Sequence, residues 1–150
     1  MSATDTATWD ATFRARFTPI VAVIVAALLL AVHVAIAALL TIKNTGVYFR
    51  FSDQVSFVVL GMVFAGLALL LTRPRLRIGP AGVAVRNTLG EKVIPWSQVR
   101  GISFPVGARW ARVDLDDDEY VPVLAIQTHD KERAVAAMDE VRRLVAKYQG

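Results

Sequence analysis

At 150 residues with 55% hydrophobic side chains, the chain has room for two membrane helices and one small domain, and its apolar excess lies before Thr72. It has no cysteine, which excludes a disulfide scaffold, a thiolate zinc site and a thiol nucleophile. The net charge of +4 conceals a partition: eight basic residues and one acid from Arg73 to Arg112, then five acids and no base from Asp114 to Glu119.

Residues 1–16 read as a polar cytoplasmic tail, expected to be disordered. Residues 17–72 read as a membrane domain. Thr18–Ile42 holds one ionisable residue, His33, in 25 positions, and Val55–Thr72 holds none in 18. A hydrocarbon core of ~30 Å needs about 20 apolar residues, so transmembrane helices are expected over about 18–42 and 55–72. Ala35-Ile36-Ala37 mimics a signal-peptide cleavage site, but the apolar run is too long for a signal and continues through Leu39-Leu40, so an uncleaved anchor is expected. Gly61-x-x-x-Ala65 sets small residues one turn apart, a spacing that lets helices approach closely and is compatible with a homo-oligomer. His33 has no acidic or second histidine partner in either stretch, so it is expected to be neutral and to face the neighbouring helix. Arg14 and Arg16 before the first stretch, with Arg73, Arg75 and Arg77 after the second, outnumber Lys43 and Arg50 between them by five to two. That bias puts both termini in the cytoplasm and the protein in the plasma (inner) membrane, with Tyr48, Phe49 and Phe51 at the outer interface.

From residue 73 to 150 the period changes. Short alternating runs at Leu76–Ile78, Val83–Asn87, Lys92–Pro95, Val99–Phe104, Trp110–Leu115 and Glu119–Ile126 are separated by turn signals such as Gly79-Pro80-Ala81-Gly82. From Asp130 to Tyr148 the period becomes helical, with Ala134, Ala137, Met138, Val141, Leu144, Val145 and Tyr148 on one stripe. Asp130 is placed as the N-cap. The fold class is therefore two transmembrane helices plus a small antiparallel β-barrel or sandwich capped by a C-terminal helix. Its expected core includes Val85, Trp96, Ile102, Phe104, Val141 and Leu144, and Trp110 is left open.

The run Gly82-Val83-Ala84-Val85-Arg86-Asn87, then Val93-Ile94-Pro95-Trp96-Ser97-Gln98-Val99, then Ile102-Ser103-Phe104 and Arg109-Trp110-Ala111-Arg112-Val113, resembles the bacterial PH-like domain of the actinobacterial "low molecular weight protein antigen 6" family. The resemblance covers roughly Arg73 to Val145. It implies a PH-like fold and a membrane setting, and no particular activity.

Arg73, Arg75, Arg77 and Arg86 suit a membrane surface of anionic lipid, each near-surface cation being worth about 1 kcal/mol. The first hairpin lacks the paired basic-x-basic pattern of inositol-phosphate binding. Asp114-x-Asp116-x-Asp118 begins like a calcium loop, but Glu119 stands where glycine is required and Ala125 where the bidentate glutamate belongs, so no metal is expected. No nucleophile motif, phosphate loop or desolvated carboxylate pair is present, so neither catalysis nor a cofactor is expected. Basic residues interleaved with exposed aromatics are absent too, which argues against nucleic acid. The partners implied are the lipid bilayer, an unidentified membrane or membrane-proximal protein, and a second copy of the chain. A membrane-anchored binding or scaffold module is the first reading. An accessory subunit of a larger membrane complex, recognised through its helices, is the second.

Overall fold

The computed structural model describes residues 8–40, 46 and 48–150. They divide into two compact units, one formed by the segment up to Phe17 together with Arg73–Gly150, the other by Thr18–Thr72.

The second unit is a pair of helices, α1 (Phe17–Leu39) and α2 (Phe51–Leu69), the latter running into a 3-10 turn at Leu70–Thr72. At 1.5 Å per residue, 23 residues of α1 extend about 35 Å and the 22 residues of Phe51–Thr72 about 33 Å, so each is long and apolar enough to cross a bilayer. The second helix starts four residues before Val55, because the Asp53 carboxylate accepts the Arg50 N–H at 2.8 Å and caps an extra polar turn. Residues 41–45, with the expected end of the first span and Lys43, lie outside the described residues, as do residues 1–7. Large side chains such as Ile24, Leu28, Val63 and Leu67 are exposed, while the buried positions are small: Ala22, Ala26 and Ala37 in α1, Gly61 and Ala65 in α2. Gly61 gives way to His33, whose Cβ would lie 2.6 Å from a β-carbon placed there. The half-buried His33 ring lies 5.7 Å from Phe64, and its Nδ1 is 2.7 Å from the Leu29 carbonyl oxygen. Facing a carbonyl oxygen, Nδ1 acts as the donor, and the bond stays within the helix.

The first unit has seven strands. β1 (Ala11–Phe13), β2 (Arg75–Gly79), β3 (Gly82–Arg86) and β4 (Glu91–Ile94) form one antiparallel sheet in that order. β5 (Val99–Ser103), β6 (Trp110–Leu115) and β7 (Tyr120–Gln127) form a second. The helix α3 (Glu132–Gln149) closes the sandwich with Ala134, Met138, Val141 and Leu144. Period-two alternation sends Leu76, Ile78, Val83, Val85 and Ile94 into the core with Ile102, Val113, Val123 and Ile126 from the other sheet. The β2–β3 turn requires glycine at position 82, where φ is +128° and an added β-carbon would stand 2.1 Å from the Ile94 carbonyl oxygen.

One expectation is overturned. The tail is not disordered along its whole length: Ala11, Thr12 and Phe13 pair with Ile78, Arg77 and Leu76 and complete the sheet. Ala11 and Phe13 pack against the core, so an edge of β2 that would otherwise be open is covered. The apolar helices are thus an insertion between two strands that are hydrogen-bonded neighbours.

Candidate functional site

Strand register decides what the arginines do. Arg75 faces Arg86, which faces Glu91, and Arg77 lies on the same side of the sheet two residues along β2. Arg77 is 8% exposed. Its guanidinium bonds the Glu91 carboxylate and lies 4.8 Å over the Trp9 ring. Arg75 reaches the same carboxylate at 3.4 Å. Partial burial pushes the Glu91 pKa up, but hydrogen bonds and charge from Arg77 and Arg75 outweigh it and hold the carboxyl below its ordinary value. Arg77 is therefore a buried structural cation, and the expectation that it contacts lipid is corrected: Glu91 from β4 claims it. Arg73 is exposed and Arg86 half-buried, and neither forms an ion pair among the described residues.

Val85, Ile102, Val141 and Leu144 are buried in the core. Trp96 and Phe104 are half-buried against it. Trp96 stacks on Tyr148 with ring centroids 5.1 Å apart and donates to the Gly79 carbonyl at 2.9 Å. Trp110 is 41% exposed at the start of β6.

Two polar clasps fix β1 at its ends. At one, the Asp10 carboxylate accepts from Lys147 Nζ at 2.8 Å and from the Tyr148 hydroxyl. Those bonds hold Asp10 below its ordinary pKa and raise that of Tyr148. At the other, the Asp130 carboxylate accepts the backbone N–H of Arg16 at 3.2 Å and of Phe17 at 2.9 Å, and His129 stacks on Phe17 at 5.3 Å. Asp130 therefore caps the start of α1. The residue before α3 is Lys131, with φ of +48° and no side-chain cap. Composition gave no sign of Trp9 or Asp10, because their partners are remote in sequence.

Two concavities adjoin α3. A cleft of about 390 Å³ runs between β1 and the first turns of α3, with Phe13 and Ile126 inside and Arg14 and Arg133 on its rim. A groove of about 340 Å³ lies between Phe104 and α3, floored by Ala134, Val135 and Met138, with Lys131 and Arg142 beside it. Arg142 is offset by Asp139 at 3.2 Å, whereas Lys131 has no ion-pair partner among the described residues. Val135 is 63% exposed there, so the groove offers apolar surface next to a free cation. The acidic turn is tied to its own sheet, Asp114 pairing with Arg112 at 2.7 Å. No group of three or more metal-ligating side chains occurs among the described residues.

A four-stranded and a three-stranded antiparallel sheet closed by a C-terminal helix make a PH-like sandwich. Residues 73–144 match the bacterial PH domain family. An uncharacterised protein of Mycobacterium bovis and one of Mycobacterium tuberculosis are each 54% identical to the chain over 141 residues, covering 94% of it and 92% of the relative. The chain belongs to one family with these mycobacterial proteins, and its residues 73–144 form a bacterial PH domain. No solved structure matches it. The family match begins at residue 73, so β1 lies outside it even though the sheet includes it.

Proposed function

We propose that the chain is a membrane-anchored binding module that holds a PH-like domain at the cytoplasmic face of the inner membrane and takes a protein partner there. One observation carries the reading: two helices of membrane-crossing length are spliced between β1 and β2, which are paired residue for residue. Strands of one sheet lie on one side of a bilayer, so the insertion crosses an even number of times and both termini share a side. The exposed apolar side chains of α1 and α2 are a poor surface for water and a good one for lipid. The excess of Arg14, Arg16, Arg73, Arg75 and Arg77 over Lys43 and Arg50 supports the cytoplasmic side. Exposed Arg73, with Arg86, would lie near anionic headgroups. PH domains are generally non-catalytic binding modules, and the groove beside Val135 is the apolar surface best suited to a partner segment carrying a carboxylate for Lys131.

The test uses the absence of native cysteine. Cysteines introduced at Gly46 and Gly150 are challenged with an impermeant thiol reagent in spheroplasts: Gly46→Cys should react and Gly150→Cys should not. The opposite pattern, or equal reactivity, refutes the topology. A photo-crosslinker at Val135 should then trap a specific partner, and loss of that adduct in Lys131→Glu supports the groove. If capture instead survives both groove changes and is lost when α1 and α2 are replaced, the accessory-subunit reading replaces this one.

A further inference from the structure

The β3–β4 hairpin ends in Thr88-Leu89, closed by the Asn87 N–H on the Gly90 carbonyl at 2.9 Å. Its base is fixed to the other sheet: the Asn87 amide donates to the Pro122 carbonyl at 2.8 Å and accepts the Leu124 N–H at 3.3 Å. The tip is thus held, yet Leu89 is 90% exposed and contributes nothing to the core. A lone exposed leucine means little by itself. Its position in the sheet means more.

Arg75 faces Arg86 across β2 and β3. That pair is the end of both strands: β2 begins at Arg75, joined by Arg73 and Pro74 to the end of the second apolar stretch, and β3 ends at Arg86, three residues before Leu89. β1 leaves the sheet at this end as well, since Phe13 faces Leu76 and the chain continues into α1. The other end of the sheet is the β2–β3 turn, with Pro80 and Ala81 exposed. The hairpin tip therefore lies at the same end of the sheet as the two connections to the apolar stretch.

We propose that Leu89 inserts into the lipid surface that those helices enter, a third attachment that fixes the tilt of the domain. The inference rests on the membrane reading above. Arg86 and Lys92 flank the tip and can meet headgroup phosphates. The β6–β7 turn, two residues before Pro122, carries Asp116, Asp117, Asp118 and Glu119, four acids against those two bases, so attraction between charges does not hold the tip and insertion of the leucine carries the contact. Salt should accordingly leave it in place.

The experiment labels single cysteines with an environment-sensitive fluorophore in the full chain, reconstituted in nanodiscs with and without nitroxide-bearing lipid. Three sites are compared: Leu89→Cys at the tip, Ala81→Cys at the far turn, and Val63→Cys on the exposed face of α2. The expected result is strong quenching and a blue shift at 63, clear quenching and a blue shift at 89, and neither at 81. Quenching at 63 with none at 89 beyond that at 81 overturns the tip contact alone. No quenching at 63 overturns the membrane reading and this inference with it. Because Leu89 is exposed, its replacement costs no core packing, and a folded chain is expected in every case.

Discussion

Replacing Gly82 by alanine tests whether the β2–β3 turn is built as described. The φ of +128° is open to glycine and strained for any other residue, at a cost of about 1–3 kcal/mol. The added β-carbon would stand 2.1 Å from the Ile94 carbonyl oxygen, 2.9 Å from its carbon and 3.0 Å from the Pro95 Cα. Ordinary carbon–oxygen contact needs about 3.3 Å, so backbone must give by roughly 1.2 Å. What must give is the end of β4, whose Ile94 is fully buried, and forced shifts of that kind cost a further 1–3 kcal/mol or so. Together these take about 2–6 kcal/mol from a domain whose total stability is about 5–15. A loss of 2 kcal/mol already lowers Tm by roughly 10 °C in a domain of this size. Thermal unfolding of the full chain in detergent, followed by tryptophan emission, reads this directly, because Trp96 bonds the Gly79 carbonyl next to the turn. Gly90→Ala is the control: nothing lies within 4 Å of its added carbon, and its effect should stay within about 0.5 kcal/mol. A Gly82→Ala protein that melts with the parent would refute the turn geometry and the packing of β4 against it.

Three further outcomes are expected. Residues 73–150 produced alone should be less stable than the same segment carrying residues 8–16 on a short flexible linker, since only the latter restores β1; equal denaturation midpoints would show the strand to be dispensable. Glu91→Gln should cost about 1–3 kcal/mol at neutral pH, an unpaired buried arginine discounted for the 22% exposure of the Glu91 side chain. Because pairing depresses the Glu91 pKa, its stabilisation is full above the ordinary value of 4.5 and is lost as pH falls through the lower folded value; parent and variant should converge in acid urea titrations, and a constant gap down to pH 2 or so would contradict the pairing. Gly61→Val should weaken the helix pair by about 1–3 kcal/mol, since its β-carbon would meet His33 at 2.6 Å, whereas Gly66→Val meets nothing within 4 Å; SDS titration followed by helical circular dichroism should separate the two variants.

The parts legible in sequence are those whose signal is local. Two uncharged apolar runs and the three-four spacing from Ala134 to Tyr148 each declare a helix within their own residues, and the turns at Gly79–Gly82 and Asn87–Gly90 punctuate the strands. β1 gave no such signal. Ala11-Thr12-Phe13 is three residues long inside a polar segment, and what makes it a strand is the open edge of β2, supplied by chain beyond both helices. The arginine burst misled for the same reason. Read linearly, Arg73, Arg75 and Arg77 form one basic cluster. The pleat puts Arg75 and Arg77 on one face, where Glu91, brought alongside by two hairpins, pairs with both and Arg77 is buried, while Arg73 precedes the strand and stays exposed. Asp130 has a helix-capping side chain, as its residue type suggests, but the helix it caps is α1.

The helix that lines the groove also holds the chain on both sides of β1. Three residues, Arg14 to Arg16, join β1 to α1, and two, Arg73 and Pro74, join the 3-10 turn to β2. Extended, these reach only about 10 and 7 Å. The first of these tethers and the start of β1 are clamped from the two ends of the helix that forms the groove: Asp130, just before α3, holds the amides of Arg16 and Phe17, and Lys147 and Tyr148, at its far end, hold Asp10. A partner that seats against Val135 and Met138 and shifts α3 along its axis must disturb one clasp or the other. Such a shift moves β1, and β1 leads within three residues into α1.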